Sequence, residues 1–231
     1  MQFLSAKWQH LLFASYCVSP DVLEPLVPRG TRLDAFEGET FVSLVAFLFK
    51  DMRVLGIPAP FYQRFEEVNL RFYVTPTHDP LVRAVCFVKE IVPLKLIPWV
   101  ANNFFGENYE AVSMSHEFSD TGSRYSWGPT LCSRFEAKHT AALKLPGSGS
   151  LGEFITEHYW GYTNRNGRTL QYHVAHPQWE CCEVNDYAIE LDFAAEYGPR
   201  FDFLSRQRPR NVLYCHGSPV SVSTPSRLSI N

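Results

Sequence analysis

Four polar side chains spaced two apart, Glu67, Asn69, Arg71 and Tyr73, hold the densest chemical potential in this sequence. They alternate with Val68, Leu70, Phe72 and Val74. A period of two belongs to a β-strand, so the four polar groups project in a row from one face. If that face lines an interior, Arg71 can grip a carboxylate or phosphate through two parallel hydrogen bonds. Asn69 and Tyr73 would extend the ligand-binding surface, and Glu67 is the candidate catalytic group, orienting the anion or acting as acid or base. The competing readings put the row in solvent, or join Glu67 to Arg71 as a structural ion pair inside the protein.

Other constellations point to less. His173-x-x-His176 followed by Cys181-Cys182 has metal-ligating residue types. On a strand, however, residues three apart face opposite sides, and adjacent cysteines lack the two-residue gap of zinc knuckles. The expectation there is a packed turn, His176-Pro177-x-Trp179, with Trp179 in the core and His176 bonded to backbone. Gly147-Ser148-Gly149-Ser150 follows no strand, so it is not a nucleophile elbow. Ser150 and Glu153 have capping-box spacing instead. No glycine-rich phosphate loop of either standard spacing occurs, which disfavours nucleotide hydrolysis and dinucleotide redox chemistry. Neither a metal nor a cofactor is expected.

The elements that must position these residues are mostly strands. Leu11–Val18 reads as a first strand, followed by a short helix that starts at Ser19-Pro20-Asp21 and carries Val22, Leu23, Leu26 and Val27 on its apolar stripe. Thr31–Phe36 alternates. Thr40–Lys50 is apolar at nearly every position, as a strand covered on both faces would be. Leu81–Ile91 is a further strand, and Pro93–Phe105 a loop or short helix. Tyr109–Phe118, Arg124–Trp127 and Leu131–Glu136 read as a meander. A helix from Ser150 carries Leu151, Phe154, Ile155 and Tyr159 inward. Trp160–Thr163 and Thr169–Val174 flank Asn166-Gly167, a hairpin signal. Ala188–Phe193, Asn211–Cys215 and Pro219–Ser223 follow, and the tail from residue 224 is expected to fray. Roughly ten strands and two short helices predict a mostly β protein: a closed or nearly closed antiparallel barrel with peripheral helices, in one domain spanning 1–231.

Composition agrees with a packed interior. Of 231 residues, 45% are hydrophobic and 19% charged, and the aromatics (18 Phe, 11 Tyr, 5 Trp) suffice for a core and a pocket lining. A net charge of −3 gives no broad attraction to nucleic acid or anionic membrane, and Arg206, Arg208 and Arg210 read as a solvated loop. No apolar run approaches the ~18 residues of a spanning helix. The amino terminus lacks a signal-peptide layout, so the six cysteines are expected to be reduced thiols, mostly buried, in a cytoplasmic protein.

The order of motifs also resembles a family. An aromatic-rich first strand at Trp8 precedes Asp34-x-Phe36-x-Gly38 and Phe65-x-Glu67-x-Asn69-x-Arg71-x-Tyr73-Val74. Phe105-Gly106-x-x-Tyr109-x-x-Val112-x-Met114, Ser133-Arg134, Glu157-x-Tyr159 and His176-Pro177-x-Trp179 follow. Together they look like the YqjF-like domains of unknown function, over nearly the whole chain. That family is similar in fold to acetoacetate decarboxylase, so the resemblance implies the same β-barrel around a cavity. It also implies a second polar cluster at Arg134 and Glu157, for which a salt bridge between helix and strand is the simpler expectation.

The decarboxylase forms a Schiff base on a lysine in Gly-x-Pro-Lys-Lys. The matching stretch here is Gly106-Glu107-Asn108-Tyr109-Glu110, with Tyr109 and Glu110 in place of the lysines. A phenol forms no imine, and Glu110 would raise a neighbouring amine's pKa. Tyr109 is therefore placed among the ligand-binding residues, and Lys89 and Lys95 are the nearest substitutes in sequence. Three functions stay open: binding of a small, anionic organic molecule, an imine-free lyase or hydrolase of keto acids, and Schiff-base chemistry.

Overall fold

The chain is described here from a computed structural model, over residues 1–60, 63–94 and 108–229. Its largest element is a curled sheet of 12 strands. Strands β1 (Gln2–Val18), β3 (Thr40–Val54), β5 (Arg64–Pro76) and β6 (Ala84–Val92) pair antiparallel in that order. The pairing path continues through β11 (Trp160–Arg165) and β12 (Arg168–Ala175) to β15 (Asn211–Ser223), which pairs β1 again. The curl therefore returns on itself, through Val174↔Val222 and Ala175↔Ser221.

The expected mostly β, barrel-like curl is present, with two departures from antiparallel pairing. β6 pairs β11 in parallel, and also β7 (Tyr109–Ala111) in parallel. Parallel neighbours need a crossover, and the one from β6 to β11 carries three strands of a second sheet. That sheet has the order β14-β10-β9-β8, built from β8 (Met114–Ser119), β9 (Gly122–Trp127), β10 (Ser133–Lys138) and β14 (Asp186–Glu190). The segment read as one strand, Tyr109–Phe118, is thus split between two sheets.

Two apolar clusters explain why β3 is buried continuously from Thr40 to Phe49. Val42, Leu44 and Ala46 face outward into a core shared with Tyr125, Trp127 and Phe135 of the second sheet. Phe41, Val45, Phe47 and Phe49 face the interior of the curl. β5 divides in the same way, with Val68, Leu70, Phe72 and Val74 in the outer core. Its polar row points inward.

The described helices are short: α1 (Pro20–Leu23), α2 (Leu151–Thr156) and α3 (Phe193–Tyr197), with 3-10 turns at Glu24–Leu26 and Pro199–Arg206. α2 starts as its spacing predicts, Ser150 Oγ accepting from the Glu153 amide. Sequence reading ran the strand through Phe193 and missed α3. The signal was present, because Asp192 caps the Ala195 amide at 2.9 Å and Phe193 and Tyr197 are buried four apart. Asn166 and Gly167 adopt positive φ of 52° and 75°, making the expected hairpin between β11 and β12. Residues 224–228 do not fray: Ser226–Arg227 (β16) pairs with β12, and Leu228 is buried.

Cys181 and Cys215 are register partners on β13 (Cys181–Glu183) and β15, and they form a disulfide. This corrects the expectation of six reduced thiols; Cys17, Cys86, Cys132 and Cys182 take no part in a disulfide. No described helix is long and apolar enough to cross a membrane.

Candidate functional site

The inner face of β5 borders a cavity of about 300 Å³. Glu67, Asn69 and Arg71 line it, together with Glu90 from β6, Tyr109 from β7 and Tyr172 from β12. Aromatic and aliphatic side chains make up most of the remaining wall, including Phe13, Phe47, Trp8 and Trp179. Few convergent polar groups on a largely apolar lining is the usual composition of a small-molecule site.

Glu67 is 3% exposed. Asn69 Nδ2 donates to its Oε1 at 3.0 Å, and the Tyr109 hydroxyl donates to its Oε2 at 3.3 Å. Burial pushes the Glu67 carboxyl up to about 7, against the lowering effect of those two bonds. Burial also raises the Tyr109 phenol well above its usual range, with the Glu67 and Glu90 carboxylates adding to it, so Tyr109 stays a donor.

Arg71 is 8% exposed and makes no ion pair with any described carboxylate. Its Nη2 donates to the Ile155 carbonyl at 2.8 Å, near the end of α2. Its guanidinium carbon lies 5.2 Å from the Phe13 ring centre and 5.6 Å from that of Tyr73. Among the described residues, Arg71 Nε and Asn69 Oδ1 are buried without a hydrogen-bond partner. The structural Glu67–Arg71 pair that the spacing allowed does not form.

Tyr73 is corrected: it does not line the cavity. Its hydroxyl is bonded to Ser43 Oγ at 2.6 Å, and Ser43 to Ser15 at 2.7 Å, a hydroxyl chain across β5, β3 and β1. The Tyr73 ring instead stands between Arg71 and His158, 4.6 Å from the His158 ring centre. His158 is fully buried with Nε2 at 3.4 Å from Asp34 Oδ2, and burial lowers its pKa to about 4. Burial opposes ionisation of Asp34, but His158 and Arg83 outweigh it and hold its carboxyl below the ordinary range.

Arg134 and Glu157 are not brought together. Arg134 pairs with Glu190 and Glu136 on the second sheet, while the Tyr159 hydroxyl and Thr156 donate to Glu157. Lys89 points away from the cavity. It lies 2.5 Å from Glu110 and 2.9 Å from Glu196, and although burial opposes its charge, those carboxylates raise its pKa. No lysine lines the cavity among the described residues. Lys95, Phe105 and Gly106 lie outside them. The potential metal ligands have other partners: His176 bonds the Pro177 carbonyl at 2.9 Å and stacks on buried Trp179, and Cys181 is in the disulfide.

Sequence reading missed Glu90 and Tyr172. Phe87 and Glu90 lie three apart, yet both face the cavity, because a bulge in the β5–β6 register at Leu70/Arg71 carries Val88 and Lys89 together outward. Simple alternation cannot reveal that. Tyr172 lies over its cross-strand partner Gly161, where an added Cβ would meet the ring at 2.3 Å. A glycine opposite an aromatic in a hairpin was the available signal.

The curled sheet and the short helices beside it form an acetoacetate-decarboxylase-like fold. Acetoacetate decarboxylase of Legionella pneumophila superposes with a TM-score of 0.68 at 9% identity, over 97% of this chain and 87% of that one. The enduracididine biosynthesis enzyme MppR complexed with pyruvate gives 0.67 at 9%, over 99% and 91%. Residues 5–219 match the family model DUF2071, described as an uncharacterized conserved protein, and the chain belongs to that family. The uncharacterized protein YqjF of Bacillus subtilis (strain 168) is 27% identical over 179 residues, covering 74% of this chain and 72% of that protein.

Proposed function

We propose that the cavity binds a small organic anion, with its carboxylate held by Arg71 and its neighbouring atoms beside Asn69 and Glu67. The observation that carries this is the Arg71 guanidinium: buried, lacking a described carboxylate partner, and with Nε unbonded. A buried charge without a counter-ion is costly, and an anionic ligand offsets that cost. The pyruvate complex of the structural neighbour MppR supports a carboxylate as occupant.

A catalytic reading is favoured by one further feature. A carboxyl with a pKa near 7 exists as acid and base in comparable amounts at neutral pH, as a proton-transfer group should. With Tyr109 and Glu110 where the decarboxylase motif has lysines, the reaction would be an imine-free proton transfer or carbon–carbon cleavage on an oxo acid. Thermal unfolding with pyruvate and acetoacetate, for the wild type and Arg71→Met, tests the binding. The wild type is expected to be stabilised by about 2.7 kcal/mol at a hundred times Kd and Arg71→Met not at all. Equal stabilisation of both would overturn the proposal. Borohydride trapping in the same mixtures separates the chemistries, since a covalent adduct would overturn the imine-free route.

A further inference from the structure

The polar groups occupy only one end of the cavity. Along the inner face of β5 the order is Arg71, Asn69, Glu67, then Phe65. Their β3 partners run Ser43, Val45, Phe47 and Phe49, and the strand continues to Met52 and Val54, which also line the cavity. β1 follows the same course from Phe13 through Trp8 to Leu4, and Leu4 pairs with both Val54 and Val222. Leu4, Val54 and Val222 line the cavity and are half-buried, so the space reaches solvent at that end. Arg71 is at the closed end. From the Glu67 level to Val54 the wall extends over roughly 20 Å of strand, at ~3.3 Å per residue, and it is apolar.

A compact acid would satisfy Arg71 and leave this aromatic passage in contact with water. We infer that the ligand is an amphiphilic monocarboxylate, a linear or aryl-ended acid of about six to ten carbons, its tail running from Arg71 toward Phe47, Phe49 and Trp8. This rests on the assignment of Arg71 as the carboxylate site. One carboxylate is specified because Arg71 is the only cation among the described cavity residues, while Glu67 and Glu90 line the same space and would disfavour a second anion. The tail follows from the apolar area it would cover, with each buried methylene tightening binding about fourfold.

Titration calorimetry of the whole chain with acetate, butyrate, hexanoate, octanoate and decanoate tests the inference, with octylamine and octanol as head-group controls. Fluorescence of Trp8 and Trp179, which line the cavity, gives an independent readout. The expected result is a roughly fourfold fall in Kd per methylene from butyrate to octanoate, a heat-capacity change growing more negative with length, and octanol and octylamine at least tenfold weaker than octanoate. Phe47→Asn, on the tail path four residues along β3 from the Arg71 partner Ser43, should weaken octanoate at least tenfold more than it weakens butyrate. Arg71→Met and Arg71→Lys, each checked for an unchanged circular dichroism spectrum, should weaken every acid. Binding that depends on Arg71 but not on length would overturn the tail and leave the anion site standing. Length-dependent binding in which octanol equals octanoate and Arg71→Met changes nothing would overturn the anion site instead. No binding at any length would overturn both.

Discussion

Glu67 and Arg71 share one face of one strand and one cavity, yet they do not bond to each other. Glu67 accepts from Asn69 at 3.0 Å and Tyr109 at 3.3 Å, while Arg71 donates to the Ile155 carbonyl at 2.8 Å. Four residues of extended strand separate them by roughly 13 Å at the backbone. Each polar group is therefore held by neutral neighbours. The carboxyl is raised toward neutrality, and the guanidinium keeps its charge facing an apolar space.

Glu67 makes folding sensitive to pH. Its carboxyl titrates near 7 in the folded chain against 4.5 as reference, so the folded state binds the extra proton. The stability it contributes is complete below about 4.5 and is lost as pH rises through about 7. Glu67→Gln should remove that slope and stabilise the protein at pH 8, by an amount on the order of a few kcal/mol. Urea denaturation at pH 5 and pH 8 checks this, and an unchanged difference between the two pH values would count against a raised Glu67.

His158 gives the opposite slope. Its pKa falls from 6.5 to about 4 on folding, so its contribution is present above 6.5 and lost as pH drops toward 4. The depressed Asp34 carboxyl acts in the same direction. The two effects overlap in pH and partly mask each other in the wild type. His158→Gln should expose the Glu67 gain as a rise in stability on acidification from pH 6.5 to 5, measured by the same urea titrations. A fall as steep as in the wild type would show that His158 is not the group responsible.

Arg71→Met should separate binding from folding. Replacing a buried, unpaired charge by an apolar chain of similar length is often neutral or stabilising, so the free variant should match or exceed the wild type, within about 1 kcal/mol. Loss of about 3 kcal/mol or more would mean that the Ile155 bond and the Phe13 contact make Arg71 a structural residue.

The disulfide can be counted. Thiol titration of the denatured, unreduced protein should give four reactive groups, and six after reduction. The bond closes a 34-residue separation, so Cys181→Ala with Cys215→Ala should cost about 2–4 kcal/mol in chemical denaturation. Six thiols before reduction would remove the bond from the account.

Much of the site was legible because β5 obeys strict alternation. The apolar set Val68, Leu70, Phe72 and Val74 had to face a core, and the continuous burial expected of Thr40–Lys50 showed that both faces of the neighbouring strand were covered as well. Periodicity alone could not say that the polar face also lay inside, since a wet face reads identically. Features that depend on pairing between distant segments were beyond it: the β6–β11 crossover, the Cys181–Cys215 contact, and the bulge that turns Glu90 inward. Tyr73 failed for a related reason. Its side chain shares the face of Arg71, but Ser43, itself bonded to Ser15, engages its hydroxyl away from the cavity.

On the proposed reading, Arg71 holds an organic carboxylate inside this cavity. A crystal structure of the protein grown with 3-bromopropionate tests it most directly, because anomalous scattering marks the bromine and orients the molecule. The expected result is a carboxylate about 2.7–2.9 Å from Arg71 nitrogens, with the bromine directed toward Phe47 and Phe49. Bromine sites found only outside the cavity, with Arg71 contacting no anion at saturating acid, would contradict it.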